Sequence, residues 1–390
     1  MSTIKVNKIE NTATADGGIA IDATGHVTID GRQLPTAGQL SNRNLIINGA
    51  MNVAQRGTSS TSTGFNTIDR FQANWGQGAV TTTQEDLTTG DPFDSGFNHF
   101  FRLQNTTAST VAAAYREVVY KFEGQDIRNS GWTYKSSSSY ITLSFWARAS
   151  VAQSYYVFVE SQDGTNRIYT FPFTLAANTW TYVTETIPGD SSMQVDNDNG
   201  HGFRVVFAAF NGTNYTGSSN TDRTWRNRSS DGDYMLDMTN TWANTTNATF
   251  DFTGVQLEVG EKATPFEHRS YGDELQRCER YAQVFEYTGQ YKLICQGIIE
   301  SGATIESLFT LRRTMRAFPS CTLSNIANFR LNDFRGNDED ADAFIGVSEG
   351  SLSNIRLKFR KPTSNMDTGR AGYVNTATSS GATMTFSAEL

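Results

Sequence analysis

The stretch Tyr140-Ile141-Thr142-Leu143-Ser144-Phe145-Trp146-Ala147 decides the fold class, because its apolar and polar side chains alternate with a period of two. Its odd-numbered residues are apolar and share one face, as the buried face of a β-strand requires, while its even-numbered residues share the other. Similar strand patterns occur at Ser154–Glu160, Ile168–Phe173, Thr179–Thr184 and Phe203–Phe210. Many short strands with few helical patterns between them predict an all-β protein built on an antiparallel sandwich.

A glycine interrupts the last strand pattern of this region, Phe250–Val259. The two phenylalanines before Gly254 have one parity, whereas Val255 and Leu257 after it have the other. An extra residue at the glycine brings both sets to a common face, so we expect a β-bulge at Gly254.

The composition excludes several classes of protein. Of the 390 residues, 12% are aromatic and only 18% are charged, which argues against a coiled coil and against bulk disorder. The formal net charge of −8 disfavours a phosphate backbone as ligand, so we expect no nucleic-acid partner. The longest apolar runs, such as Val205–Phe210, are too short to cross a bilayer, so we expect no membrane insertion.

The N-terminus and the cysteines bear on where the chain is made. Lys5 and Lys8 interrupt what would be the apolar core of a secretory signal. Cys278, Cys295 and Cys321 are odd in number and lack the spacing of metal ligands. We therefore expect a soluble chain that is made in the cytoplasm and keeps its thiols reduced.

The pattern along the chain predicts an N-terminal arm over residues 1–40. Short alternating stretches at Thr3–Glu10 and a hairpin over residues 18–31 are too small to be stable alone in water. Because unsupported termini fray unless something ties them down, we expect another chain to hold the arm.

The remaining chain is predicted to form two β-rich domains joined by a helix. Residues 41–269 form the sandwich, and residues 287–390 form a strand-rich C-terminal domain. Ser270 and Asp273 fit a capping box, and apolar residues recur at helical spacing as far as Phe285, which predicts a connecting helix over 270–286.

The sequence contains no recognisable catalytic or cofactor motif. Its four histidines form neither HxH nor HExxH, and no GxSxG, P-loop or GxGxxG follows a predicted strand. Glu160, Asp163, Asp196 and Asp198 could supply a glycosidase pair, but 40 acidic residues make such pairs frequent by chance. We expect no enzyme activity, no catalytic residues, no cofactor and no metal.

Six aromatic residues lie among Ser, Thr, Asn and Gly rather than inside apolar strands, and they are Trp132, Tyr134, Tyr215, Trp225, Tyr234 and Trp242. Sugar rings present flat C–H faces that stack on aromatic side chains, and their hydroxyl groups pair with polar loop residues. The pattern makes these six residues candidates for glycan binding. The alternative is that several of the rings cap the ends of the sandwich core.

A series of motifs resembles a family of phage and prophage tail-fibre proteins. The opening motif Asn44–Gly57 (NLIINGAMNVAQRG) is followed by Thr67–Phe71 and Leu143–Arg148, and then by Phe252–Gly260 (FTGVQLEVG) and Cys278–Tyr281. The motifs occur in the same order as in such fibres, and the resemblance extends from about residue 42 to residue 285. The body of these fibres is similar in fold to a carbohydrate-binding jelly roll. Met315–Pro319 also resembles a motif of their C-terminal domain, and the arm resembles the virion-attaching segment of marine or cyanobacterial phage fibres.

The resemblance implies a structural virion protein that adheres to a host surface glycan. It implies a homotrimer in which residues 1–40 bind the phage tail or baseplate and residues 287–390 form the distal tip. Two alternatives stay open, a glycan depolymerase of the tailspike kind and a capsid-decorating protein without a receptor role. Many jelly rolls of this kind hold a structural calcium, but Asn52 and Gly254 stand near the positions of its acidic ligands, so we expect none here.

Overall fold

The protein is described from a computed structural model that covers residues 8–10, 18–21, 27–29, 32–33, 42–335, 338–362, 366–379 and 381–390. The chain divides into two units, one of Met1–Asn52 with Gly57–Arg269 and the other of Val53–Arg56 with Ser270–Leu390. None of the helices in the described ranges has the length and apolar character that a membrane crossing requires.

The N-terminal arm is a small antiparallel sheet of four strands in sequential order, β1 (Lys8–Glu10), β2 (Gly18–Ile21), β3 (Val27–Ile29) and β4 (Arg32–Gln33). Ile9 pairs with Ile19 across β1 and β2, and both side chains are largely exposed, at 59% and 41%. The predicted strand residues 3–7, the hairpin turn 23–26 and most of the link 32–41 lie outside the described residues.

Two six-stranded antiparallel sheets form the sandwich. Its strands are β5 (Ser59–Ser60), β6 (Phe71–Gly76), β7 (Ala79–Asp86), β8 (His99–Thr107), β9 (Tyr115–Glu123), β10 (Tyr140–Ala149), β11 (Gln153–Ser161), β12 (Arg167–Leu175), β13 (Thr181–Pro188), β14 (His201–Asn211), β15 (Arg226–Asn227) and β16 (Ala248–Val259). The first sheet has the order β13-β10-β16-β8-β7-β5, and the second has the order β15-β12-β11-β14-β9-β6. Short helices interrupt the loops at α1 (Asp91–Asp94), α2 (Gly124–Arg128) and α3 (Thr241–Asn244), with a 3₁₀ turn at Asp231–Asp233. The prediction of an all-β sandwich is confirmed.

The core lies between the inner faces of the two sheets, as the strand alternation predicts. Phe145 of the first sheet packs edge-to-face on Phe207 of the second, with 5.1 Å between ring centroids, and Phe207 stacks on Phe252 at 4.7 Å. All three rings are fully buried. The register between β10 and β16 shifts between Ser144 and Trp146, opposite Gly254, whose φ is +64°. The predicted bulge is therefore confirmed.

The opening motif, Asn44–Gly57, is hydrogen-bonded to β16, the last strand of the sandwich. The buried Asn44 side chain donates to the carbonyl of Val255 at 3.0 Å and accepts from the backbone N–H of Leu257 at 3.1 Å. Its own backbone N–H donates to Glu267 at 2.9 Å. A Cβ at Gly49 would lie 2.0 Å from the carbonyl oxygen of Val255, so only glycine permits this approach.

The second unit begins with α4 (Tyr271–Cys278), which Ser270 caps by accepting the backbone N–H of Asp273 at 3.2 Å. Its strands are β17 (Ala282–Tyr287), β18 (Leu293–Ser301), β19 (Thr304–Thr310), β20 (Ser320–Leu323), β21 (Phe329–Asn332), β22 (Asp338–Asp340), β23 (Ala343–Gly350), β24 (Asn354–Arg360), β25 (Ala371–Thr376) and β26 (Ala382–Ser387), with a 3₁₀ turn at Ile326–Asn328. A three-stranded sheet (β17-β26-β20) and a seven-stranded sheet (β22-β21-β25-β18-β19-β24-β23) enclose one apolar core.

The helix is shorter than the predicted span 270–286. It ends at Cys278, and residues 282–287 form β17, which pairs along its length with β26 at the end of the chain. Helical spacing is a local signal, and the pairing with a distant strand overrides it here.

Candidate functional site

The outer face of the second sheet carries a buried ion network. Glu160 is fully buried on β11 and accepts a hydrogen bond at 2.7 Å from Nε of Arg204, its cross-strand partner on β14. Arg228 also donates to this carboxylate, and Asn166 donates to it at 3.2 Å. Because both carboxylate oxygens are bonded, Glu160 has a structural role and is not free for acid–base chemistry.

A long loop lies over this same face. We call residues 212–240, between β14 and α3, the covering segment. Its Met235 is fully buried among apolar residues of the second sheet that include Phe158 and Val206. The ring of Tyr234 stacks on Phe158 with 5.0 Å between centroids and 22° between planes. The covering segment therefore closes the centre of this sheet face with Met235 and Tyr234.

The covering segment brings two predicted residues together, Tyr215 and Tyr234. Their ring centroids are 6.4 Å apart, both side chains are half-buried, and Tyr115 packs edge-to-face on Tyr215 at 5.3 Å. The guanidinium of Arg228 lies 5.2 Å from the ring of Tyr234. The result is a row of tyrosine rings beside a cation, an arrangement that can stack on a sugar ring and bond its hydroxyl groups.

A second group of predicted residues lies near the end of β13. Trp132 and Tyr134 pack edge-to-face at 6.3 Å, and Arg128 donates to the Tyr134 hydroxyl at 2.8 Å. The carbonyl of Tyr134 accepts the N–H of Asp190 at 2.8 Å, and the indole of Trp225 donates to the carbonyl of Pro188 at 2.6 Å. Tyr134 is half-buried, so one part of its ring meets solvent.

The three candidate tryptophans are packed rather than displayed. Trp132, Trp225 and Trp242 are exposed by only 3%, 9% and 0%. Each indole N–H donates to a backbone carbonyl, at 3.2 Å for Trp132, 2.6 Å for Trp225 and 2.9 Å for Trp242. The burial of these three rings favours the alternative to glycan binding, in which the aromatic residues cap the sandwich core. The three candidate tyrosines, in contrast, are half-buried.

Sequence reasoning missed a second buried carboxylate, Glu117 on β9. Its Oε1 accepts a hydrogen bond from Asn211 at 2.7 Å, and burial raises the pKa of the Glu117 carboxyl above its ordinary value. The strand Tyr115–Glu123 holds four charged residues, so its sequence does not single out Glu117. The cross-strand neighbour of Glu117 on β14 is Ala208.

Asp163, Asp196 and Asp198, three of the carboxylates singled out in the sequence, are near neighbours in the structure. Asp163 accepts the backbone N–H of Asp196 at 2.8 Å, and burial, with the charges of Asp196 and Asp198, raises its pKa. Within the described ranges, no group of three or more His, Cys, Asp or Glu side chains is arranged to hold a metal ion. The three cysteines are free thiols.

Comparison with known proteins gives distant likenesses in fold. No protein-family model and no curated protein matches the chain. The enzymatically active domain of tailspike protein 4 from bacteriophage CBA120 is 10% identical with a TM-score of 0.30, covering 56% of this chain, and the chain spans 21% of that structure. A putative sugar-binding protein from Bacteroides thetaiotaomicron is 12% identical with a TM-score of 0.30 and coverages of 56% and 100%.

A third likeness is to the N-terminal cellulose-binding domain of Cellulomonas fimi β-1,4-glucanase C, at 12% identity, a TM-score of 0.27 and coverages of 54% and 99%. At these identities and TM-scores the comparisons assign no function. A function has to be inferred from the residues of the chain itself.

Proposed function

We propose that the chain is a non-catalytic phage tail-fibre protein that adheres to a glycan on the host cell surface. The observation that carries this proposal is the set of three half-buried tyrosine rings, of which Tyr215 and Tyr234 lie 6.4 Å apart and Tyr134 lies beside the guanidinium of Arg128. Such rings can stack on sugar C–H faces while neighbouring polar groups bond hydroxyl oxygens. The ordered motifs that resemble tail fibres support the same class of function.

In this proposal the chain forms a homotrimer within the virion. Residues 1–40 attach to the tail or baseplate, residues 41–269 form the body, residues 270–286 connect, and residues 287–390 form the tip. The apolar side chains Ile9, Ile19 and Ile21 on the arm are 59%, 41% and 43% exposed, and a second and third chain would cover them. Three weak glycan sites on one trimer gain avidity without any single tight contact.

The test is binding of the intact protein to an array of purified bacterial lipopolysaccharides and capsular polysaccharides. Tyr134→Ala and Tyr215→Ala should each weaken binding to whichever glycan the unchanged protein captures. Tyr271→Ala is the matched control, because Tyr271 is a 59% exposed ring on α4 of the second unit and belongs to neither tyrosine group. Equal binding by all three variants would contradict the role of the tyrosines.

The runner-up function is a glycan depolymerase acting on the same receptor. The observation that favours it is Glu117, a buried carboxyl with a raised pKa beneath the covering segment, since such groups serve as general acids. Incubation with a captured polysaccharide, followed by an assay for new reducing ends, decides between the two. Release that disappears in Glu117→Gln would favour the depolymerase, and the absence of release favours adhesion.

A third possibility is a capsid-decorating protein without a receptor role. Antibody labelling of intact virions distinguishes it, because the fibre proposal expects label on the tail and the decorating role expects label on the capsid.

A further inference from the structure

Two tryptophans outside the predicted set have free indole groups. Trp146 on β10 and Trp180, the residue before β13, are half-buried and pack against a small apolar cluster that includes Phe100. Neither indole N–H donates to any residue in the described part of the chain, and neither is sealed from solvent. Buried tryptophans normally bond their N–H, as Trp132 and Trp242 do. Trp146 and Trp180 therefore each keep an indole N–H that a ligand can accept, on a ring that is only partly covered by its neighbours.

Tyr182 packs beside Trp146 and adds a third aromatic ring. It stands directly opposite Trp146 in the β10–β13 register, with ring centroids 5.1 Å apart and 48° between planes, and it is 44% exposed. Trp180 directly precedes β13, two residues before Tyr182. Thr184 is exposed and adds a hydroxyl group two residues further along β13. We call Trp146, Trp180 and Tyr182 the aromatic platform.

A buried carboxylate pairs with both cations beside the platform. Arg148 lies 4.6 Å from the ring centroid of Trp180 and donates to Oδ2 of Asp251 at 3.0 and 2.8 Å. Arg102 donates to both oxygens of the same carboxylate at 2.8 and 2.9 Å. Asp251 is fully buried. Both guanidinium groups are bonded to this one carboxylate, which offsets one of their two positive charges, so neither cation at the platform is unpaired.

We propose that the aromatic platform is a second glycan-binding site, which stacks on pyranose rings of a neutral polysaccharide. It lies on the outer face of the first sheet, whereas Tyr215 and Tyr234 lie on that of the second. Flat rings match sugar C–H faces, and the indole N–H groups and Thr184 bond ring hydroxyl oxygens. This inference rests on the proposed function and adds to it a site and a ligand class.

The first test is calorimetry of the intact protein with cellohexaose, xylohexaose and mannohexaose, and with polygalacturonic acid as the anionic probe. Binding of a neutral probe should weaken about tenfold or more in Trp146→Ala, because a central tryptophan typically dominates such a contact. Tyr271→Ala, at an exposed ring of the second unit, should leave it unchanged.

The second test uses the unchanged protein and does not depend on how a variant folds. Oxidation by N-bromosuccinimide, read by peptide mass spectrometry, should modify Trp146 and Trp180 and spare the buried Trp132 and Trp242. A bound neutral saccharide should protect the first two. Protection of Trp146 that grows with protein concentration in the absence of saccharide would show that a second copy occupies the platform, and would overturn the proposal.

The outcomes separate the platform from the general function. Suppose that Trp146→Ala still binds the neutral saccharide, and that Trp146 of the unchanged protein is still oxidised in the complex. These results would overturn the platform but would not contradict glycan adhesion. Binding of the anionic probe alone overturns the ligand class of the platform. Failure to bind any saccharide, here and on the polysaccharide array, overturns the adhesion function and the platform together.

Discussion

Glu160 is a fully buried carboxylate shared by two guanidinium groups, those of Arg204 and Arg228. Glu160→Gln keeps the shape of the side chain but removes the buried charge that both guanidinium groups share. We expect a loss of about 3 kcal/mol in the free energy of unfolding, measured by urea denaturation. Asp86→Asn is the control, because Asp86 is 81% exposed in its pair with His99 and such pairs contribute little. Similar small losses in both variants would contradict the structural role of Glu160.

Glu117 gives the stability a dependence on pH. Burial raises the pKa of its carboxyl in the folded state above the value in the unfolded chain. Its stabilising contribution is therefore complete below the ordinary glutamate pKa and is lost as the pH rises through the folded-state pKa. Gln at this position still accepts the hydrogen bond from Asn211 but does not ionise.

Urea denaturation of Glu117→Gln and the unchanged protein, run from acidic to neutral pH, checks this sign. We expect Glu117→Gln to gain stability relative to the unchanged protein as the pH rises. A difference that stays constant, or that shrinks with rising pH, is the opposite result.

At single positions, the sequence predicts burial better on strands than in loops. The parity of Phe145 follows from its own strand, and the structure buries it as expected. Trp242 sits among Thr and Asn in the sequence, yet its backbone N–H is bonded to Gln153 of β11 and its ring is fully buried. The burial of Trp242 depends on β11, which is distant in the sequence. The composition around Trp242 therefore does not predict it.

Among the elements, the bulge in β16 depends on one glycine. Gly254 has a φ of +64°, and a Cβ there would lie 2.7 Å from Cζ of the buried ring of Phe97. Gly254→Ala should lower the free energy of unfolding by about 1–3 kcal/mol, because it combines a left-handed backbone with a steric clash. The change is measured by urea denaturation of the variant and the unchanged protein.

Gly131→Ala separates the backbone effect from the clash. Gly131 also has a left-handed backbone, with a φ of +87°, but no atom of the described residues lies within 4 Å of the position that its Cβ would take. We expect the smaller loss in Gly131→Ala. Equal losses in the two variants would show that the clash with Phe97 does not contribute.

The local sequence predicts where α4 begins but not where it ends. The capping residue Ser270 predicts the start of α4 correctly, because the cap bonds lie within one turn. The end of the helix depends on β17 pairing with β26, which comes from the end of the chain. The ion network around Glu160 likewise joins β11, β14 and the covering segment, and no pattern within one strand announces it.

For the whole molecule, we predict an assembly of three chains. The exposed isoleucines of the arm, Ile9, Ile19 and Ile21, need a covering surface, and a trimer supplies it. Light scattering of the full-length protein should give three times the chain mass of 43.0 kDa. Ile19→Asp with Ile21→Asp should weaken the assembly, whereas a strict monomer of the unchanged protein would contradict the trimer.

Adhesion to a host glycan is the central claim, and binding to intact host cells tests it most directly. Labelled full-length protein is added to susceptible cells before and after periodate treatment, which cleaves the vicinal diols of surface sugars, and in parallel to cells treated with protease. We predict that periodate abolishes binding and that protease does not. Binding that survives periodate and is lost after protease would identify a protein receptor and contradict adhesion to a glycan.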